Sequence, residues 1–407
     1  MTQAMHRVVV TGMGCISALG HDADAHWQAC RDGRSGIETI RQVDPDRLNI
    51  RICGEVRDFD AASQFPDRQL SLLDRVAQFA VFAGRQALAD SGLVLDPELA
   101  KRTAVILGTG AGGMNTLDAQ FFRLYGEGNR RVMPLTVPRL MVSAAVSHVT
   151  MDAGIMGPSF MISSACSSAN HAIGEAFWMV RTGRARAALT GGTEACLTYG
   201  TIRGWEALRV MTPDVCRPFS HKRRGMVLGE GAGMFVLERL DDARARGAKI
   251  YAEIAGLGMS ADAGDIVFPS EEGAAAAITD ALRDADLAPD DVDYISAHGT
   301  GTAANDVTET RAIRRACGPA AERLAVSSTK AVHGHALGGA GALELIPAIR
   351  AITDQVIPPT ANYLDPDPDC DLDYVPNTAR PAPVRAVLSN SFAFGGLNAV
   401  LAVKAAG

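Results

Sequence analysis

The sequence predicts an α/β protein made of two copies of one unit, with mixed sheets covered by helices and further helices buried between them. Three observations predict it. Short apolar strand runs alternate with helical ones, strand ends recur in the same order in the two parts of the chain, and two helices are rich in alanine and glycine on most faces. Alternation favours parallel or mixed sheets, and ordered recurrence argues for duplication. Small residues on most faces let a helix lie between layers.

Taken in order, Val8-Val9-Val10 starts a strand that the spacing ends in a glycine turn at Gly12 and Gly14. A helical pattern over 76–89 follows. A strand over 103–107 leads into Gly108-Thr109-Gly110. Ser163-Ser164-Ala165-Cys166 then opens an apolar helix over 172–180, and Ala187-Ala188-Leu189-Thr190 runs to Gly191-Gly192. The second part answers each of these with Tyr251 to Gly258, a helix over 273–285, and a strand over 292–296 entering His298-Gly299-Thr300-Gly301. Ser327-Ser328-Thr329-Lys330 then precedes a helix over 343–352, and a strand over 385–389 runs on to Gly395-Gly396. The boundary falls between 1–249 and 250–407. The offset between matching segments shrinks along the chain, so the first part carries extra chain, placed at about 115–160.

With 407 residues, 47% hydrophobic and 21% charged, the chain fits a well-buried enzyme and not a disordered segment. Its net charge of −7 argues against a nucleic-acid partner. Eight cysteines without Cys-x-x-Cys spacing give neither a disulfide framework nor a zinc signature. The N-terminus lacks a signal-peptide pattern and no run is long enough to span a bilayer, so a cytoplasmic protein without membrane attachment is expected.

The chemistry gathers around Cys166. A helix start lowers a thiol pKa through unpaired N–H groups and the macrodipole, and the flanking serines and alanines leave room for a substrate. His298 and His335 stand in glycine-rich settings, and His298 lies at a strand's C-terminal end, where α/β folds place ligands. Lys330 lies among apolar residues, so a buried ion pair with Glu344 is expected. The loop Asn390-Ser391-Phe392-Ala393-Phe394-Gly395-Gly396 suits an oxyanion hole or a tight turn equally well. Gly108-Thr109-Gly110-Ala111-Gly112-Gly113 satisfies the dinucleotide fingerprint, but no acidic ribose ligand follows at the right distance. His333 and His335 lack a third ligand at metal spacing, so no metal is expected.

Taken together, Ser164-Ala165-Cys166-Ser167-Ser168, His298-Gly299-Thr300-Gly301-Thr302 with Asn305-Asp306, Ser328-Thr329-Lys330 with Gly334-His335, Gly229-Glu230-Gly231-Ala232-Gly233 and Asn390 to Gly396 resemble the chain-elongating β-ketoacyl–acyl-carrier-protein synthases. These are condensing enzymes of the thiolase-like superfamily, and the resemblance runs from Arg7 to Lys404. It implies five layers, αβαβα, with two mixed sheets around buried helices. It implies a decarboxylative Claisen condensation with the acyl chain held on Cys166, assisted by His298 and His335 with Lys330 and Glu344, and an oxyanion hole formed by the N–H groups of Cys166 and Phe394.

By the same resemblance, Thr300 and Thr302 contact the pantetheine arm, and Phe392 and Phe394 line the site, Phe394 as a gate. Ala111 stands where a bulkier residue is common, which implies a deeper acyl tunnel for longer or unsaturated chains. No cofactor is implied beyond the phosphopantetheine arm of acyl carrier protein. The implied partners are that carrier and a second copy of the chain, or a chain-length subunit in a heterodimer. Arg68, Arg123, Arg130, Arg131, Arg203 and Arg209 are candidate carrier contacts. Arg224, His333, Ala393 and Leu397 depart from the family pattern.

Overall fold

The computed structural model describes residues 5–407. Its main sheet has ten strands: β1 (Val8–Ser17), β2 (Thr103–Gly108), β3 (Ser159–Ile162), β4 (Ala187–Glu194), β5 (Gly231–Arg239), β6 (Ala252–Ala261), β7 (Tyr294–Ser296), β8 (Ala325–Ser327), β9 (Ala386–Phe392) and β10 (Leu397–Lys404). Their order is β3-β2-β4-β5-β1-β6-β10-β9-β7-β8. Counted outward from the centre, each half reads first, fifth, fourth, second, third strand, so the duplication expected from the sequence is a repeat of topology. β1 and β6 meet antiparallel, with Val8 opposite Ile254 and Val10 opposite Ala252. The two mixed sheets that were expected are the five-stranded halves, and they are linked edge to edge where β1 and β6 pair over three residues, since edges left free would pair readily.

Five helices complete the layers: α1 (Arg75–Ser91), α2 (Ser168–Arg181), α3 (Glu271–Asp284), α4 (Ala303–Cys317) and α5 (Ala340–Asp354). α1 covers β1, β4 and β5, while α3 covers β6 and β10. α2 and α5 lie against each other between the two sheet halves, and a single apolar cluster around them includes Ile106, Phe177, Phe235, Leu343, Val387 and Leu401. The extra chain of the first half is the helical stretch between β2 and β3, from Met114 to Ala153. Among the described residues, no helix is long and apolar enough to cross a membrane.

Gly12 and Gly14 do not end their strand; they lie inside it. A Cβ at either would come within 2.1 Å of the Ala87 carbonyl oxygen or 2.0 Å of that of Ala83, both on α1. Gly258, in β6, stands in the same relation to α3, with 1.9 Å to the Ala277 oxygen. The repeated glycines thus mark where each outer helix approaches its sheet, a close approach that also suits an isolated strand glycine.

Candidate active site

Cys166 sits in the turn between β3 and α2, 6% exposed. The preceding Ala165 has a φ of 50°, a left-handed conformation that aims the next side chain off the strand. The serines around it brace the turn. Ser168 Oγ donates to Ala165 O at 2.6 Å and accepts from Ser164 N at 2.9 Å. Ser167 Oγ reaches Ser391 O at 2.8 Å and Leu397 O at 2.7 Å, tying the turn to the strands β9 and β10 of the other half. Holding this backbone, and not only leaving space, is what the small residues do.

His298 follows β7 and His335 follows a short helix, Lys330–His333. His335 reaches the site because Gly334 has a φ of 75° and because its N–H donates to Val227 O at 2.7 Å, in the first half. Its Nε2 lies 3.1 Å from Cys166 Sγ. The two imidazole rings meet edge to face at 5.4 Å. The thiol sulfur and one nitrogen from each histidine all lie within 4.8 Å of one another. Three residues from both halves therefore share one buried centre. The same three donors would also suit a soft divalent ion, but the Lys330 ammonium beside them opposes a cation. His333 turns away, toward Thr329 and the ring of His26.

Lys330 is fully buried and pairs with the buried Glu344, as expected. Its ammonium donates to His298 O at 2.6 Å and lies 3.4 Å from His298 Nδ1. An ammonium has no lone pair to offer, so Nδ1 must be the acceptor and the ring proton sits on Nε2. Burial and the Lys330 charge hold both imidazoles well below the usual histidine range, so both are neutral at neutral pH.

The thiol corrects an expectation. Burial pushes Cys166 up to about 12, although the Lys330 charge and a hydrogen bond from Phe394 N–H pull it down, while Glu194 and Glu344 add to the rise. The helix start does not outweigh the loss of hydration in this closed resting site.

A cavity of about 370 Å³ opens onto the sulfur and both histidines. Thr300 and Thr302 line it, their hydroxyls 2.9 Å apart, as do Phe392, Ala393 and Phe394. Phe392 lies edge-on to His298 at 6.1 Å. Arg209 and Arg224 stand at the rim, while the neighbouring Arg223 pairs with Asp367 and lies 3.7 Å from Asp306. Ala111 does not line this cavity. It packs in an apolar cluster with Met114, Cys196, Ile202, Trp205 and Leu337.

Sequence reasoning missed Glu309, Glu194 and Trp205, and named Asp306 only as part of a motif, without a role. Glu309 on α4 accepts the N–H groups of His298 at 2.8 Å and Gly299 at 2.7 Å. Asp306, raised by burial to about 6, accepts Phe219 N–H and Gly301 N–H at 2.7 and 3.2 Å. Glu194 gathers Gly110 N–H at 2.6 Å, Gly338 N–H at 3.0 Å and the Thr109 hydroxyl at 3.0 Å. Trp205 stacks on Phe394, with ring centroids 5.7 Å apart. Acids on the helix after the His-Gly-Thr-Gly loop were the one available signal for Asp306 and Glu309.

Comparison with known proteins agrees with this geometry. The family models for the N-terminal and C-terminal domains of β-ketoacyl synthases match residues 5–243 and 251–364. Nodulation protein E of Rhizobium sp. (strain N33) is 48% identical over 98% of this chain and 99% of its own length. The 3-oxoacyl-[acyl-carrier-protein] synthase 2 of Synechocystis sp. is 44% identical, covering 98% of each. The solved ishigamide ketosynthase/chain length factor superposes with a TM-score of 0.95 at 37% identity, covering 99% of this chain and all of that one. With a thiol and two imidazoles converging from duplicated halves and family matches along both, this chain belongs to the β-ketoacyl synthase family of condensing enzymes.

Proposed function

We propose that Cys166 carries the acyl chain in a two-stage decarboxylative condensation on acyl carrier protein. In the first stage the Cys166 sulfur attacks the carrier-bound thioester. His335 Nε2 takes the thiol proton and returns it to the departing carrier thiol. The bond from acyl carbon to carrier sulfur breaks and one to Cys166 forms. In the second stage malonyl carrier loses CO₂, and the enolate oxygen accepts the Nε2–H of His298. The carbanion attacks the Cys166 thioester, its oxyanion meets the N–H groups of Cys166 and Phe394, and the Cys166 thiolate leaves and takes a proton from water. The product is a carrier-bound chain two carbons longer. The observation that carries this reading is the 3.1 Å approach of His335 to Cys166 beside a His298 whose tautomer Lys330 fixes.

Thr300 and Thr302 suit a pantetheine arm entering along the cavity, and the exposed Arg209 and Arg224 at its rim suit an acidic carrier. Ala111, in the apolar cluster beyond Phe394, leaves room there for a longer or unsaturated chain. A second copy pairs through β3, the exposed outer edge of the sheet, where Phe160 is 39% and the nearby Met156 62% exposed. A chain-length subunit is the alternative partner for that edge. The reaction needs no cofactor beyond the carrier's arm and belongs in the cytoplasm.

The test is turnover of purified protein with acyl and malonyl carriers. Release of one CO₂ for each β-ketoacyl product supports the reading, and CO₂ without product refutes it. His298→Ala should slow decarboxylation by about 10²–10³-fold, the usual cost of one such donor, and leave acyl transfer to Cys166 intact. Equal loss in both stages would contradict the division of labour.

A further inference from the structure

We propose that Trp205 is a positioning residue that holds Phe394 so that its backbone N–H stays on Cys166, an inference that rests on the condensing role of Cys166. Phe394 is poorly restrained by its own backbone. It precedes Gly395 and Gly396, which have φ values of 82° and 69°, and a Cβ at Gly395 would meet nothing within 4 Å. Gly395, in the left-handed region beside open space, gives the loop freedom to turn next to Phe394, whereas Gly396 packs against Asp262. Its hydrogen bonds hold the flanking residues: Ala393 N–H to Leu397 O at 3.3 Å, Gly395 N–H to Ile266 O at 2.8 Å, and Gly396 N–H to Ala393 O at 2.9 Å.

Phe394 and Cys166 line the same cavity, and the Phe394 N–H lowers the thiol's pKa. What fixes the Phe394 side chain is its stack on Trp205, centroids 5.7 Å apart and planes 23° apart. Trp205 comes from the helix Tyr199–Ala207, whose start is braced by the Thr198 hydroxyl accepting Thr201 N–H and which is anchored by the buried Ile202. Trp205 also belongs to two environments at once. It lines the cavity that opens onto the sulfur, and it packs with Met114, Ile202 and Ala111 on the far side. The paired rings thus stand where the cavity meets the apolar cluster, and the amide they steady is the oxyanion donor.

An aromatic pair of this kind is weak enough to bound the effect. Losing it should shift the loop's population by roughly 2- to 10-fold, well below the 10²–10³ for outright removal of an oxyanion donor. Trp205→Leu should therefore slow acyl transfer to Cys166 by up to about tenfold in kcat with little change in KM for the acyl carrier. Alkylation of Cys166 by iodoacetamide at fixed pH, followed on the Cys166 peptide by mass spectrometry, should slow in parallel, because losing the N–H raises the thiol pKa. Trp205→Phe keeps a stacking ring and should stay within about twofold of the parent in both assays. The double variant Trp205→Leu/Phe394→Leu should be no slower than either single one.

Equal rates in parent and Trp205→Leu would overturn the proposal. So would equal slowing by Phe and Leu, which would mean packing volume and not stacking, or strictly additive losses in the double variant. Absence of any acyl-enzyme in the parent would instead refute the condensing role, and the alkylation rates would still decide the role of Trp205.

Discussion

Lys330 and Glu344 have both lost their hydration, and a buried pair of that kind adds little net stability. Its use is chemical, since the same ammonium fixes the proton of His298 on the nitrogen facing the substrate. Lys330→Met leaves Glu344 charged and unpaired, or forces it to bind a proton, and should cost about 3–5 kcal/mol in chemical denaturation. Adding Glu344→Leu should restore most of that stability and none of the decarboxylation. Recovery of activity in the double variant would show that the tautomer argument is wrong.

His333 gives a pH-dependent prediction of known sign. Burial beside His26 and Lys330 pushes it well below its ordinary value of 6.5. As pH falls past that value the unfolded chain binds a proton that the folded one refuses, so stability is lost below about pH 6.5 and kept above it. Denaturation of the parent and of His333→Gln between pH 7 and 5 should diverge, the parent losing up to about 1.4 kcal/mol more per pH unit. Parallel curves would mean that His333 is protonated in the native state. Residues such as Cys166, His298 and His335 were legible because a reactive type stood in a small-residue setting. Glu194 was not, because its partner Gly338 lies 144 residues away and only folding brings that N–H to it.

Strands and helices were legible wherever periodicity and apolar runs set them. α1, α2 and α5 enclose the expected helical stretches, and α3 covers all but the last residue of the one expected over 273–285. The glycines of β1 and β6 were misread as turns, because glycine permits a turn and equally permits a close neighbour, and sequence does not distinguish the two. The distinction is measurable. Gly258→Ala would place a Cβ 1.9 Å from a backbone oxygen of α3, so the helix must shift. We expect a loss above about 2 kcal/mol, read from denaturant midpoints, against the few tenths gained at an unstrained glycine. A neutral result would show that α3 gives way easily.

At the scale of the molecule, the halves repeat in topology and interlock in detail. Arg7 pairs with Glu253 at 2.5 Å, Ser167 bonds the facing ends of β9 and β10, and Val227 to Gly229 flank His335. The duplication was legible from ordered echoes, whereas the joining of the sheets through β1 and β6 was not, because three paired residues leave no pattern. Residues 1–249 alone would expose the face of α2 that packs on α5, so this piece should bind a hydrophobic dye and lack near-ultraviolet dichroism; a rigid, dye-free fragment would contradict the interlock. The most direct test of the whole account is the intact mass of the protein after incubation with an acyl carrier thioester. One acyl group, mapped to the Cys166 peptide and absent from Cys166→Ala, is the predicted result. An acyl group on any other residue, or one that persists in Cys166→Ala, would contradict it.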